Sequence, residues 1–205
     1  MVVGFVISTV ASDVTRVIFS FMFELDGAVD VATTDQLRAL RKEQAMHVAC
    51  QVQSEYSFLR ASSQSLAEVG MTTAMTRGGG GGGGGAGEDE KAVHEHGLFR
   101  VRPGMPFTGD DSKVVLWQAT AGAGYALVCE EEENRVVAAQ VLCLLVQYLQ
   151  EHVKSAEQPA AEFMLKSDRV MTVLHQFLPN GQLLFLNHRA VRQLEKEMEV
   201  LLQGK

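Results

Sequence analysis

Cysteine and positive charge are both scarce in this chain, and each shortage excludes a class of function. The three cysteines, Cys50, Cys129 and Cys143, lie in apolar surroundings and form no CxxC pair. This pattern predicts reduced core thiols rather than a disulfide framework or a zinc site. Lysine and arginine number 18 against 25 aspartates and glutamates, which gives a formal net charge of −7. Because no broad basic field is present, we expect no nucleic-acid partner.

The sequence also lacks a hydrophobic run long enough to cross a membrane. Met1–Ala11 is apolar, but no basic residue precedes it, so it predicts a buried first strand rather than a signal peptide. The longest apolar segment predicted to be helical, Val136–Leu149, spans fourteen residues and contains two glutamines. A bilayer requires about 20 residues. We therefore expect no transmembrane segment and only peripheral membrane association.

The composition is typical of a folded chain. Its 205 residues are 46% apolar and 21% charged, which allows a core large enough for one domain. Eight consecutive glycines at 78–85, followed by charged residues, predict a flexible Ser/Gly-rich insertion at 63–96. Strand-like runs resume after this insertion, so we expect a single domain at 1–202 that contains it.

Hydrophobic periodicity predicts an α/β (α+β) fold. A hairpin of Val2–Val10 and Arg16–Leu25 precedes a long amphipathic helix that begins at Thr33 or Thr34. Three further strands are predicted at Phe99–Arg102, Val114–Ala121 and Tyr125–Cys129. Three further helices are predicted: one at Asn134–Lys154, one capped by Ser167 or Asp168, and one capped by Asn187. Short connections within each strand group predict a five-stranded antiparallel sheet with helices on both faces.

No motif predicts catalysis or a cofactor. The glycine tract leads into Glu88-Asp89 rather than the Gly-Lys-Ser/Thr of a phosphate-binding loop, and Gly122-x-Gly124 is assigned to a hairpin turn. The carboxylates of Glu130–Glu133 could bind a divalent cation, but acidic residues before a helix N-terminus more commonly remain solvated and interact with the helix dipole. The six histidines accompany no nucleophile elbow. We therefore predict no enzyme, no metal and no cofactor.

Several runs together resemble one known family. They are Leu40-Arg41-Lys42-Glu43-Gln44, Ala49-Cys50-Gln51-Val52, Val114-Val115-Leu116-Trp117, Tyr125-Ala126-Leu127-Val128, Lys166-Ser167-Asp168-Arg169-Val170, Phe177-Leu178-Pro179-Asn180-Gly181-Gln182-Leu183-Leu184-Phe185-Leu186-Asn187 and Gln193-Leu194-Glu195-Lys196-Glu197. The chain resembles the sigma subunits, or small adaptins, of the fifth heterotetrameric adaptor protein complex. The resemblance covers about residues 1 to 62 and 97 to 202, and it implies a longin-like (SNARE-like) fold.

The resemblance also implies a function and a set of partners. The implied function is a non-enzymatic role in stabilising the coat adaptor. The implied partners are two large adaptins (zeta and beta) and a mu subunit, and spatacsin and spastizin are implied to associate with the complex. The implied setting is the cytoplasmic face of late endosomes and lysosomes, in vesicle-mediated protein transport from endosome to Golgi.

Other small adaptins bind acidic dileucine sorting signals, and the resemblance implies candidate residues for this role. Arg16 matches the basic residue, while Ala123, Tyr125 and Val146 fall near the positions that line the apolar slot. A cation would pair with the acidic residue, and each buried leucine would contribute roughly 1.5 to 3 kcal/mol.

Two other classes of function compete with this interpretation. One is a longin-type regulator of small GTPases or of membrane fusion, which the 177–187 run and the lack of a carboxy-terminal anchor disfavour. The other is an enzyme that binds a nucleotide through the glycine loop, which would show saturable nucleotide binding in calorimetry.

Overall fold

The computed structural model describes most of the chain. The described residues are 1–11, 14–23, 34–75, 95–104, 106–107, 111–120, 122–153, 163–164, 166–184 and 188–203. The sequence-predicted glycine tract at 78–85 and the predicted cap Asn187 lie outside them.

Five strands form one antiparallel sheet, which confirms the predicted fold class. The strands are β1 (Val2–Thr9), β2 (Val17–Met22), β3 (Glu95–Val101), β4 (Lys113–Thr120) and β5 (Ala123–Glu130). Their order across the sheet is β2-β1-β5-β4-β3, and every neighbouring pair is antiparallel. The first hairpin therefore joins the later three-stranded meander through the β1–β5 pair, in which Phe5 lies opposite Leu127.

Within the described residues, four α-helices of eleven residues or more accompany the sheet. They are α1 (Thr34–Met75), α2 (Arg135–Val153), α3 (Ser167–Phe177) and α4 (His188–Gln203), with a short 3₁₀ helix at Pro179–Gly181. Among the helices that the structure describes, none is both long enough and apolar enough to cross a membrane. The α+β arrangement is consistent with the longin-like fold of small adaptins.

Helix α1 covers one face of the sheet and contacts all five strands. Its side chains at three- and four-residue steps, Ala45, Val48 and Val52, are buried against the sheet. Their strand partners include Val6 and Trp117. This packing confirms the amphipathic helix predicted from the sequence, because a 3.6-residue period places these apolar residues on one stripe.

Helices α2 and α3 cover the opposite face. Helix α2 lies over β4 and β5 and packs against α3. Its buried side chains include Val141, Leu145 and Leu149, and α3 contributes Val170, Val173, Leu174 and Phe177 to the same core. Asn134 begins α2 as an N-cap, because its side-chain Oδ1 accepts hydrogen bonds from the backbone N–H groups of Val136 and Val137 at 3.1 and 3.2 Å.

The boundaries of the predicted insertion require correction. Residues 63–75 continue α1, and Glu95 and His96 already belong to β3, so the span between these elements is narrower than 63–96. The helix continues through a Ser/Thr-rich stretch in which the apolar period is weak. Strand β3 begins early because Glu95 pairs with Ala119 and His96 with Gln118, although these residue types do not favour strands by themselves.

Three local predictions are also wrong. Gly122 occupies the β4–β5 turn with φ +78°, but Gly124 lies within β5 rather than in the turn. Neither Ser167 nor Asp168 caps α3, because Lys166 holds the capping position and makes no side-chain cap bond. Cys50 and Cys143 are exposed, and only Cys129 is a core thiol. Both exposed cysteines stand in apolar stretches, but the helical period turns them outward.

The structure explains several residue types in the run Phe177–Asn187, of which residues 177–184 are described. Phe177 and Leu178 are fully buried in the core. In the 3₁₀ turn, Asn180 has φ 52° and Gly181 has φ 75°. A Cβ atom at Gly181 would lie 2.5 Å from the backbone oxygen of Val2, so this turn packs directly against the start of β1.

Candidate functional site

The candidate cation of the sorting-signal site, Arg16, lies exposed immediately before β2. Its backbone oxygen accepts a hydrogen bond from the N–H of Thr9 at 2.9 Å, and its own N–H donates to the Thr9 Oγ1 at 3.0 Å. Thr9 is in turn the register partner of Ala123 in β5. Arg16 and Ala123 therefore lie at the same end of the sheet, on either side of β1.

The three candidate slot residues meet in one apolar cluster between the sheet and α2. Ala123, Tyr125 and Val146 are 3%, 1% and 1% exposed. The ring of Tyr125 packs edge-on against Phe163, with ring centroids 6.0 Å apart and planes at 79°. Phe163 is itself fully buried. In this structure the candidate slot is therefore closed, with Phe163 packed against its tyrosine.

The Tyr125 hydroxyl shares this buried environment. Burial raises its pKa strongly, and a hydrogen bond with Gln150 opposes only part of that shift. The phenol is therefore neutral at every physiological pH. Gln150 belongs to α2 and Tyr125 to β5, so these two side chains meet between the helix and the sheet.

An open cavity of about 350 Å³ lies beside the closed slot, between α2 and the β3–β4 side of the sheet. Leu116, Leu142 and Val146 supply apolar lining, and His96 and Cys143 are exposed residues at its margin. Val146 borders both the cavity and the slot. The motifs of the sequence do not predict this cavity. The uncharged stretch Val136–Gln150 is the one sequence signal for it, because such a helix can present apolar surface on more than one side.

The acidic run Glu130–Glu133 makes ion pairs in this structure. The Met1 ammonium group lies 3.0 Å from Glu130 Oε2 and 2.5 Å from Glu133 Oε2. Glu131 pairs with Arg100 at 3.0 Å. Among the described residues, no group of three or more histidine, cysteine, aspartate or glutamate side chains is arranged to hold a metal ion.

These ion pairs shift the ionisation of both partners. The hydrogen bond from the Met1 ammonium group lowers the pKa of Glu133, against the opposing effect of burial. Burial alone would lower the pKa of the Met1 amine, but hydrogen bonds to Glu133 and Glu130 raise it overall. The charged forms of both groups are therefore favoured in the folded protein.

Among the cysteines, the buried Cys129 is poorly suited to nucleophilic chemistry. Burial, assisted by the nearby Glu133 carboxylate, raises the pKa of its thiol to about 12. Since the thiolate is the reactive form, Cys129 remains a protonated core residue at neutral pH. Two histidines have aromatic packing roles: His175 contacts Phe21 edge-on, and His47 contacts Phe107.

The site therefore combines packing surfaces with a basic residue near an apolar cluster. Similarity to a known family identifies the kind of protein to which these features belong. The family model described as AP-5 complex subunit sigma-1 matches residues 1–199. The chain belongs to the AP-5 sigma-1 family.

Two relatives of the AP-5 sigma-1 family support this assignment. The human protein named AP-5 complex subunit sigma-1 is 32% identical over 187 residues, which cover 89% of this chain and 86% of the human protein. The mouse protein of the same name is 29% identical over 144 residues, covering 68% of this chain and 76% of the mouse protein. The resemblance inferred from the sequence is confirmed, and the chain is a small subunit of an adaptor protein complex.

Proposed function

We propose that this chain is a non-enzymatic sigma subunit that stabilises a heterotetrameric adaptor through burial of apolar surface against a large adaptin. The observation that carries the proposal is the AP-5 sigma-1 family match over residues 1–199. The partners proposed are the large zeta and beta adaptins and the mu subunit. Family membership favours this role over a longin-type regulator of small GTPases or of membrane fusion.

The physical basis of the stabilisation is apolar surface that the domain leaves uncovered. Val136 on α2 is 69% exposed, Leu98 on β3 is 44% exposed, and Phe58 on α1 is 70% exposed. Permanent interfaces of this kind commonly bury more than about 2,000 Å² and are more hydrophobic than the remaining surface. Coverage of such residues by partner chains would contribute free energy to the assembly.

The proposed cellular role follows from the same family membership. The adaptor would act in vesicle-mediated transport from endosome to Golgi, on the cytoplasmic side of late endosome and lysosome membranes, with spatacsin and spastizin as associated proteins. Membrane association would be peripheral and would run through the assembled coat adaptor.

Binding of an acidic dileucine signal is a second proposed activity. The observation that favours it is the position of the exposed Arg16 at the sheet end that also carries Ala123. The apolar cluster is closed by the Tyr125–Phe163 contact, so two leucines would require Phe163 to move. In the proposed scheme, Arg16 pairs with the acidic residue, and Ala123, Tyr125 and Val146 contact the leucines.

Co-expression tests the principal proposal. The two large subunits and the mu subunit are produced with and without this chain, and the yield of assembled complex is measured by size-exclusion chromatography. We expect the yield to fall severalfold without the chain, because the exposed apolar surface of a large subunit favours aggregation. An equal yield of the same three-subunit assembly would contradict the stabilising role.

A further inference from the structure

The sheet places Arg16 on the same face as the candidate slot. Arg16 lies opposite Thr9, with which it shares two hydrogen bonds, and Thr9 lies opposite Ala123. Val17, the next residue, packs against the core beneath α1. Because neighbouring residues of a strand point to opposite faces, Arg16 belongs to the face that α2 covers, as Ala123 does.

The spacing across the sheet matches a short extended peptide. Arg16 and Ala123 lie in one row with β1 between them, so two strand spacings, or roughly 10 Å, separate their backbones. Three residues of an extended chain cover about 10 Å as well. A peptide whose acidic residue precedes an apolar pair by three positions therefore spans Arg16 and the slot.

The slot already holds a side chain of the kind that such a peptide would supply. The ring of Phe163 is fully buried beside Tyr125, with ring centroids 6.0 Å apart, in the cluster that contains Ala123 and Val146. Met164, the next residue, is 62% exposed. Phe163 therefore inserts a single ring from the protein surface, as the anchor residue of a bound peptide enters its pocket.

Phe177 shows how an ordinary core phenylalanine differs from Phe163. Phe177 is also fully buried and also contacts a tyrosine, Tyr148, with ring centroids 5.0 Å apart. Its neighbours Leu174 and Leu178 are fully buried as well, so Phe177 belongs to a run of core residues that begins in α3. Phe163 is instead followed directly by an exposed residue.

We infer that Phe163 is a built-in ligand of the slot and competes with the apolar residues of an acidic sorting peptide for the same space. The contact between Phe163 and Tyr125 is thus autoinhibitory, because the slot accepts a peptide after this ring has left it. The inference rests on the proposed sorting-signal activity and adds the regulation of that site.

The competition lowers the apparent affinity of the slot for a peptide. A site that is open about 1% of the time binds about a hundredfold more weakly than one that is always open. Arg16 gives the peptide an attraction that Phe163 lacks, because an acidic side chain pairs with the guanidinium group. The peptide therefore displaces the ring when its acidic residue is engaged.

Two substitutions, Phe163→Val and Phe163→Ala, test this competition. Both remove the ring, and the valine variant keeps more of the buried volume and so more of the stability. Purified four-subunit complexes are titrated with a fluorescein-labelled peptide that carries a glutamate three positions before a Leu-Leu pair, and anisotropy gives the dissociation constant. We expect each variant to bind at least tenfold more tightly than the original complex. A purely structural Phe163 predicts the opposite, since its loss would loosen the slot.

Phe177→Val is the matched control, because it shortens a second fully buried phenylalanine that contacts a tyrosine. We expect this variant to bind the peptide no more tightly than the original complex. Unchanged or weaker binding by Phe163→Val would overturn the inference, and so would an equal gain in affinity for Phe177→Val.

Arg16→Glu combined with Phe163→Val identifies where the peptide binds. We expect the added carboxylate to cancel the gain in affinity, because it repels the glutamate of the peptide at the same site. A gain that persisted in the double variant would overturn the inference, since the peptide would then bind to apolar surface elsewhere.

The original chain provides a readout that leaves the core intact. If Phe163 must leave first, the observed association rate levels off at the rate of opening as the peptide concentration rises. Stopped-flow anisotropy measures this rate, and a linear rise up to saturating peptide would overturn the inference. Complexes that assemble but bind no peptide, with or without Phe163, would overturn both this inference and the sorting-signal activity while leaving the subunit role intact. Failure of the original complex to assemble would contradict the subunit role and this inference with it.

Discussion

The indole of Trp117 lies directly over Gly97, its register partner across the β3–β4 pair. A Cβ atom at Gly97 would lie 2.7 Å from the Trp117 Nε1. Trp117 is 1% exposed and belongs to the core beneath α1. The glycine therefore lets the edge strand β3 approach the largest side chain of this core.

Substitution Gly97→Ala should destabilise the fold through this contact. The added methyl group forces the buried Trp117 ring to shift, and overpacking of this kind costs about 1–3 kcal/mol. Chemical denaturation followed by fluorescence of the single tryptophan measures both the loss of stability and the changed ring environment. His96→Ala, at the neighbouring exposed position, is the control and should cost less than about 0.5 kcal/mol.

Gly181→Ala tests the turn that packs against β1. The residue has φ 75°, and its Cβ atom would lie 2.5 Å from the Val2 backbone oxygen. Gly122→Ala is the matched control, because Gly122 has nearly the same φ, of 78°, while the nearest atom to its Cβ position is the Cβ of Ala11 at 3.4 Å, an ordinary contact. We expect the loss of unfolding free energy for Gly181→Ala to exceed that of the control by about 1 kcal/mol or more. Equal losses would show that the contact with β1 is unimportant.

The Met1–Glu133 ion pair predicts a pH dependence of stability. Because the folded-state pKa of Glu133 is lowered from 4.5, its contribution to the free energy of unfolding is present above that pH and is lost as the pH falls. Because the folded-state pKa of the Met1 amine is raised from 8.0, its contribution is present below that pH and is lost as the pH rises further. Glu133→Gln should therefore lower the unfolding free energy between about pH 4.5 and 8, with a smaller effect outside this window.

Urea denaturation across a pH series measures this effect. Glu132→Gln is the control, since Glu132 is a neighbouring exposed carboxylate. A difference between the Glu133→Gln variant and the original chain that stayed constant from pH 3 to pH 10 would contradict the ion-pair explanation.

Arg16→Glu tests the proposed sorting-signal site. The change removes the cation that would pair with the acidic residue of a dileucine peptide and replaces it with a repelling carboxylate. We expect the affinity of the assembled complex for such a peptide to fall about tenfold or more, because charge-assisted hydrogen bonds contribute about 1.5–3 kcal/mol. Arg41→Glu, an exposed substitution on α1, should leave the affinity unchanged. Calorimetry that gave equal affinities for both variants would remove Arg16 from the site.

The sheet could be predicted from the sequence because its signals are local. The hairpin of β1 and β2 and the meander of β3 to β5 follow from apolar strand runs that lie close together in the sequence, and β4 and β5 are joined by a tight turn. The amphipathic part of α1 is similarly evident, since Ala45, Val48 and Val52 repeat at helical steps and are buried as this pattern indicates.

Features that depend on contacts distant in sequence could not be predicted. The early start of β3 depends on pairing with β4, and the position of Gly124 within β5 depends on close packing against Val10, whose Cγ1 lies 2.6 Å from a Cβ built at Gly124. The exposure of Cys143 depends on which side of α2 faces the sheet. An apolar stretch indicates burial only on average, and the orientation of the helix decides which residues face outward.

At the candidate site too, the contact that closes the slot joins residues distant in sequence and could not be predicted. Its candidate residues were assigned from a family resemblance, and three of them do meet in one cluster. The covering side chain, Phe163, is thirty-eight positions from Tyr125 in the sequence, so nothing local indicated their contact.

The dissociation constant between this chain and the other three adaptor subunits tests the central claim most directly. Fluorescence anisotropy of the labelled, folded chain, titrated with the purified assembly of the two large subunits and the mu subunit, provides the value. A permanent subunit that buries apolar surface should bind with a dissociation constant well below about 1 µM. A folded chain that shows no association at about 10 µM would contradict the account.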